Sequence, residues 1–160
     1  LLSIGLLYKR KIVEHLGFGF SVAYSISRYR VEQKQGKLFP GSLKYQKEMI
    51  KFSSIDMNLY FRMNYGLRGD YIGKYMDIGW GYDHFFTDEY ITLYTINNLE
   101  NEHIISGLDF FEKGYTNVFL KAGFNRYVFF VSYRLNPLIK SNNYPYDFPL
   151  WLAGFELGLF

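Results

Sequence analysis

The segment Leu16 to Arg30, LGFGFSVAYSISRYR, alternates without a break. Leu16, Phe18, Phe20, Val22, Tyr24 and Ile26 are apolar, while Gly17, Gly19, Ser21, Ala23, Ser25 and Ser27 are small. A period of two sustained over that length excludes a helix and predicts a β-strand with one bulky face and one slim face. At about 3.3 Å per residue, roughly 15 residues extend about 50 Å, and a tilt of about 45° leaves about 35 Å, enough to cross the hydrocarbon core of a bilayer. Strands of soluble proteins are usually shorter.

Composition agrees with a membrane strand rather than a membrane helix. The chain of 160 residues is 49% hydrophobic, yet its mean hydropathy is only −0.12. Its longest uncharged apolar runs, such as Tyr127 to Tyr133, fall well short of the roughly 18 residues that a spanning helix needs. Aromatics reach 21%, with 16 Tyr and 16 Phe, as expected where rings line both membrane interfaces. The absence of cysteine excludes a disulfide scaffold and thiolate metal sites. A net charge of +3 gives no ground for a nucleic-acid partner. Leu1 is not an initiator methionine, so any leader segment is expected to have been removed.

Along the chain the alternation recurs. Leu1 to Arg10 is a weaker copy, joined to Leu16 to Arg30 by the charged link Lys11 to His15. After Arg30, a stretch with Gly36, Pro40, Gly41 and several lysines reads as a long polar loop. Strands are predicted from about Met49 to Tyr65, Tyr71 to Phe86, Thr116 to Phe124, Tyr127 to Leu135 and Leu150 to Phe160, with Asn125-Arg126 as a two-residue turn. The acidic stretch Thr87 to Gly114 reads as a long loop, with a candidate hairpin between Tyr90–Ile96 and His103–Phe110.

Strands of this kind fit a soluble barrel, a two-sheet sandwich or an outer-membrane barrel. The second face decides, because a water-facing surface would be rich in Lys, Glu and Thr, whereas here it is Gly, Ser, Ala and Asn with sparse charges. Such residues suit the narrow, closed lumen of a small barrel. The expected fold is therefore all-β, a single domain over 1–160 forming an eight-stranded up-and-down antiparallel transmembrane barrel. Seven strands are visible; since single-chain bacterial barrels have an even number, the eighth is expected upstream of Leu1 or within 87–114. Links alternate short and long, which predicts tight periplasmic turns and longer external loops.

The closing DFPLWLAGFELGLF and the internal SIDMNLYFRMNYG resemble the small outer-membrane β-barrel proteins of Bacteroidota, the PorT-like or OmpA-like barrels. The resemblance covers most of the chain and implies a location in the bacterial outer membrane and a porin-like architecture, not an activity. It also implies service as a structural barrel or as a subunit of secretion, assembly or uptake machinery. One departure stands out: Phe160 falls on the inward phase, where these barrels end with an aromatic on the lipid phase.

Candidate functional residues follow from the phase. Lipid-facing positions are Phe18, Phe20, Val22, Tyr24, Ile78, Trp80, Phe129, Val131, Trp151 and Phe155. Inward charges are Asp56, Arg62, Asp77, Lys121, Arg134 and Glu156, three of each sign, expected to fill the lumen as a polar network rather than to conduct ions. At the external end Arg28, Arg30, Lys34, Lys37, Lys44 and Lys47 are candidate contacts for lipopolysaccharide phosphates, with a solvated loop as the plain alternative. Large apolar groups in the acidic stretch, Tyr90, Tyr94, Ile104, Ile105, Phe110 and Phe111, either cap the barrel or dock another outer-membrane protein, and docking is favoured.

His15, His84 and His103 lack metal-ligand spacing, and no catalytic constellation joins Asp83-His84 or His103 with Ser106. No cofactor, metal site or catalytic residue is expected. The function indicated is a non-enzymatic outer-membrane scaffold or accessory subunit of a membrane protein complex. The rivals are a freestanding structural barrel and a lipid-modifying enzyme or protease.

Overall fold

Alternation of bulky and small residues becomes strand after strand in the computed structural model, which describes residues 1–31, 45–65, 73–96, 99–108, 110–140 and 148–158. The elements are β1 (Leu2–Lys11), β2 (Leu16–Arg30), β3 (Lys47–Tyr65), β4 (Lys74–Ile96), β5 (Leu99–Ser106), β6 (Gly114–Phe124), β7 (Tyr127–Arg134) and β8 (Trp151–Leu157). They form one antiparallel sheet in the order β1-β2-β3-β4-β6-β7-β8, with β5 attached to β4 off this path. The sheet is strongly curled, a half-barrel without helices among the described residues.

Register puts like with like. Leu6 lies opposite Val22, Val22 opposite Met57 and Met57 opposite Tyr82, so one face collects the bulky side chains. That convex face is open: Ile78 is 60% and Phe155 81% exposed. The concave face collects glycines and the larger polar groups that they accommodate. A Cβ on Gly19 would run into the Tyr60 ring, and one on Gly123 into the Tyr75 ring.

The two ends of the sheet differ in their links. At one end the connections are tight: the Ile12 amide donates to the Leu16 carbonyl at 3.0 Å across the β1–β2 turn. Asn125 between β6 and β7 takes a left-handed φ of 54°, a conformation that Asn tolerates better than most residues. This is the turn end. The opposite, loop end carries the long connections and the extensions of β3 and β4.

β4 does not stop at Phe86. It continues to Ile96 and turns into β5, whose His103 pairs with Thr92, so the predicted hairpin exists with β5 shifted toward the N-terminus of its expected range. The continuation depends on a bulge: Ser54 opposes Phe85 and Ser53 opposes Thr87, which leaves Phe86 without a partner. One extra residue reverses the phase of a strand. Below the bulge the odd residues of β4, Asp77 among them, face the concave side; above it the even residues Tyr90 and Thr92 do. At this end lies the apolar core of Ile50, Phe52, Tyr90, Phe111, Leu138 and Ile139, with Tyr29, Phe85 and Phe148 packed against it.

Candidate functional site

The concave face carries the charged side chains picked out by phase. Arg62 on β3 and Asp77 on β4 are direct cross-strand partners. The guanidinium grips the carboxylate through Nε and one terminal nitrogen, each at 2.6 Å. Both side chains are buried, and the Arg62 guanidinium lies 3.5 Å from the centroid of the Tyr75 ring. A forked pair of this kind satisfies charge and hydrogen bonding together, the condition for keeping ions out of water. Tyr60, whose hydroxyl donates to the Tyr8 carbonyl at 3.2 Å, walls the pair on the β2 side.

Toward the loop end, Asp56 accepts hydrogen bonds from the hydroxyls of Ser25 and Ser54, the latter at 2.6 Å. Asp83 stands directly opposite it in register and accepts from the Asn117 amide at 3.3 Å. Lys121 and Glu156 pair at 2.6 Å across β7. Arg134 is buried, donates to the Phe148 carbonyl at 2.8 Å and lies 5.6 Å from the Tyr115 ring. The six charges expected to form one network therefore resolve into the Arg62–Asp77 pair, the Lys121–Glu156 pair, a serine-bound Asp56 and an Arg134 at the base of the cap. Sequence phase identified the charges; the partners Ser25, Asp83, Tyr115 and Asn117 emerge only once the register is known.

Above this column the cap closes over the concave face. Phe52 meets Phe85 and Phe111, each with ring centroids at 4.8 Å, and Phe148 meets Tyr29 at 4.7 Å. Two backbone bonds sew the segments together, from the Glu112 amide to the Leu138 carbonyl at 2.8 Å and from the Lys140 amide to the Phe110 carbonyl at 2.9 Å. Glu48 is fully buried beneath it and accepts a 2.5 Å hydrogen bond from the Tyr90 hydroxyl. Burial, then the hydrogen bond to Glu48 and the charge of that carboxylate, push the Tyr90 phenol above its ordinary range.

The residues offered as a docking surface divide. Tyr90 at 9% and Phe111 at 4% exposure belong to the cap core, and Phe110 packs against it, so these three seal the mouth instead of presenting a surface. Tyr94 is half-buried, near the Tyr45 ring. Ile104, 51% exposed, and Ile105 remain open on β5, which among the described residues pairs only with β4 and carries Glu100 and Glu102 beside them.

On the convex side of the loop end, Arg28, Arg30 and Lys47 are exposed. Arg28 lies opposite Lys51, which is itself paired with Glu89 at 3.0 Å. Lys34, Lys37 and Lys44 lie outside the described residues. Of the positions assigned to lipid, Phe18, Phe20, Val22, Tyr24, Ile78, Trp80, Phe129, Trp151 and Phe155 are exposed on the convex face and Val131 is half-buried there.

His84 projects to the convex side, stacked against Tyr82 at 6.2 Å, while Asp83 points to the concave side. His103 and Ser106, three residues apart on β5, point to opposite faces of that strand. Among the described residues no group of three or more His, Asp or Glu side chains is placed to hold a metal ion. No protein-family model, curated protein or solved structure matches this chain.

Proposed function

We propose that this chain is an integral outer-membrane β-barrel with eight spanning strands and that it serves as a non-enzymatic scaffold or accessory subunit. Its convex face anchors it in lipid and its β4–β5 hairpin meets a neighbouring outer-membrane protein. The observation that carries the reading is the contrast between the two faces of one sheet. A convex surface with Ile78, Trp80, Phe129 and Phe155 open to the surroundings has no place in water, whereas the concave face is filled by paired ions and closed by an aromatic cap. A plugged interior argues against solute transport and leaves the loop end as the working part. The exposed Arg28, Arg30 and Lys47 stand beside the apolar band at that end, where phosphate groups of the outer leaflet would meet them. The resemblance of the closing strand to barrels of Bacteroidota supports the same location.

A strand edge unpaired among the described residues, with Ile104 and Ile105 exposed on it, is the feature that a partner strand recognises. The test is the mass of the protein purified from membranes in mild detergent. A species larger than one chain is expected, reverting to the single chain in an Asn101→Pro, Ile104→Lys variant that still resists unfolding by detergent at room temperature. A single chain from the unmodified protein would overturn the subunit role, and recovery from the soluble fraction without detergent would overturn the barrel itself.

A further inference from the structure

The turn end of the sheet carries cations that the concave network does not use. Arg10 and Lys11 end β1, Lys74 begins β4 and Arg126 lies in the turn between β6 and β7, and all four are exposed. The ion pairs among the described residues, Lys51–Glu89, Arg62–Asp77 and Lys121–Glu156, include none of them. Of the carboxylates described toward this rim, Asp77 and Glu156 are thus already taken, which leaves Glu14 in the β1–β2 link. The rim is basic. Arg10 shares the convex face with its cross-strand partner Phe18, and Lys74 shares it with Tyr65 and Phe124. The Lys74 ammonium lies 5.0 Å from the centroid of the Phe124 ring. These side chains stand at the border of the apolar band, where a long stem lies along apolar surface and its charged head reaches past it.

The β1–β2 turn adds an apolar tip. Tight turns in water draw on Gly, Asn, Asp and Ser, yet this one reads Lys11-Ile12-Val13-Glu14-His15, with Ile12 59% and Val13 52% exposed. The Leu16 carbonyl accepts from the Ile12 and Val13 amides at 3.0 and 3.2 Å, which fixes the turn with both side chains outward. Tyr65, Phe124 and Tyr127 are exposed at the same rim. From β1 to β6 the sheet takes four strand spacings of about 4.8 Å, so Arg10 and Arg126 stand about 19 Å apart along the curl. No single small anion reaches all four cations. A soluble polyanion would neutralise them and leave Ile12, Val13 and Tyr127 in water, whereas the head-group layer of a bilayer meets the charges with phosphate and the apolar groups with acyl chain.

We propose that the turn end is a binding surface for anionic phospholipid, a collar in which Arg10, Lys11, Lys74 and Arg126 hold phosphate head groups while Ile12, Val13 and Tyr127 enter the interfacial layer. The inference rests on the barrel reading above. It concerns the leaflet opposite the one that Arg28, Arg30 and Lys47 would meet, and a different lipid. The ligand is a glycerophospholipid whose head group bears a net negative charge, enriched around this rim over the zwitterionic lipid of the same leaflet. Selection comes from charge, because the apolar groups of the rim accept either lipid equally.

Local lipid composition provides the test. Two single-tryptophan forms of the full chain are reconstituted in vesicles of phosphatidylcholine and phosphatidylglycerol in equal parts, with bromine near the carbonyl end of the acyl chains of one lipid or the other. One form carries Val13→Trp with Trp80→Phe and Trp151→Phe; the other keeps Trp80 alone, on the convex face. The indole at position 13 is expected to be quenched severalfold more by brominated phosphatidylglycerol than by brominated phosphatidylcholine, one basic side chain near an anionic surface being equivalent to about fivefold. The preference should vanish in the Arg10→Gln, Lys11→Gln, Lys74→Gln, Arg126→Gln variant and at about 1 M salt, where charges are screened within about 3 Å. Should the fourfold variant fail to insert, Lys11→Gln with Arg126→Gln, both outside the paired interior of the strands, should still lower the preference. Equal quenching by the two lipids, a preference that survives the replacements, or no quenching at position 13 while Trp80 is quenched each overturns the collar. Trp80 separates the two readings: quenched by either lipid, it leaves the barrel standing whatever becomes of the collar, and quenched by neither, it removes the barrel and the collar together.

Discussion

Arg62 and Asp77 form the most tightly built contact on the concave face, and single replacements there leave a buried charge alone. Arg62→Leu or Asp77→Leu is expected to cost about 3–5 kcal/mol, with the double replacement recovering most of the loss, because a buried ion pair is dear to break and cheap to replace as a unit. Urea unfolding of the folded protein in detergent, followed by fluorescence of Trp80 and Trp151, measures this; equal single and double costs would count against it. Tyr90 supplies a pH response at the loop end. The folded state holds the phenolic proton more tightly than the unfolded chain does, so its stabilisation is complete below pH 10, the ordinary value, and is lost as pH rises further. Proteolysis of the β4–β5 hairpin should accelerate above pH 10, and Tyr90→Phe, with no proton to lose, should flatten that rise. An unchanged slope in the variant would assign the response to other groups.

Phe86 decides the architecture of β4. Without a partner on β3, it turns the strand by one residue and sends Tyr90 and Thr92 inward, where an unbulged strand would send Glu89 and Ile91. Deleting Phe86 should therefore join Phe85 directly to Thr87, leave Thr87 opposite Ser53 and keep Tyr90 and Thr92 inward, so that the cap stays protected and the band from Lys74 to His84 keeps its pairing with β6. Hydrogen exchange resolved by segment measures both; lost protection over 87–96 would show that the bulge does more than set the phase. This bulge is also why the acidic stretch reads as a loop from sequence. Its alternation is out of step with that of the preceding strand, and Asp88 and Glu89 interrupt it at the point of change. Strands without a bulge, β2 above all, are legible almost to the residue. Phe111 and Leu138 lie outside any alternating run, so their burial in the cap was beyond the reach of phase.

At the scale of the molecule the two faces of the sheet make opposite demands on solvent. If the convex face lies in hydrocarbon, Ile78→Arg costs about 2–4 kcal/mol at mid-depth, whereas Ile104→Arg on β5 stays within about 0.5 kcal/mol. Refolding equilibria in detergent or lipid vesicles compare the two directly. Equal, small effects would mean that water reaches the convex band, and the protein would have to be read as a soluble half-barrel.

The sequence by itself determined the strand class, the division of each strand into a bulky and a slim face, and the identity of the inward charges, because a period of two is a local property of the chain. It could not determine which charges meet. Arg62 finds Asp77 and not Glu156 through cross-strand register, and register is a property of two strands at once. The tertiary structure also decided that Tyr90, Phe110 and Phe111 join the cap instead of offering a surface: the bulge at Phe86 turns Tyr90 to the concave side, and Phe111 is bridged to Ile139 within the cap. Strand direction along the sheet, visible only when every ladder is laid side by side, left β1 and β8 running the same way.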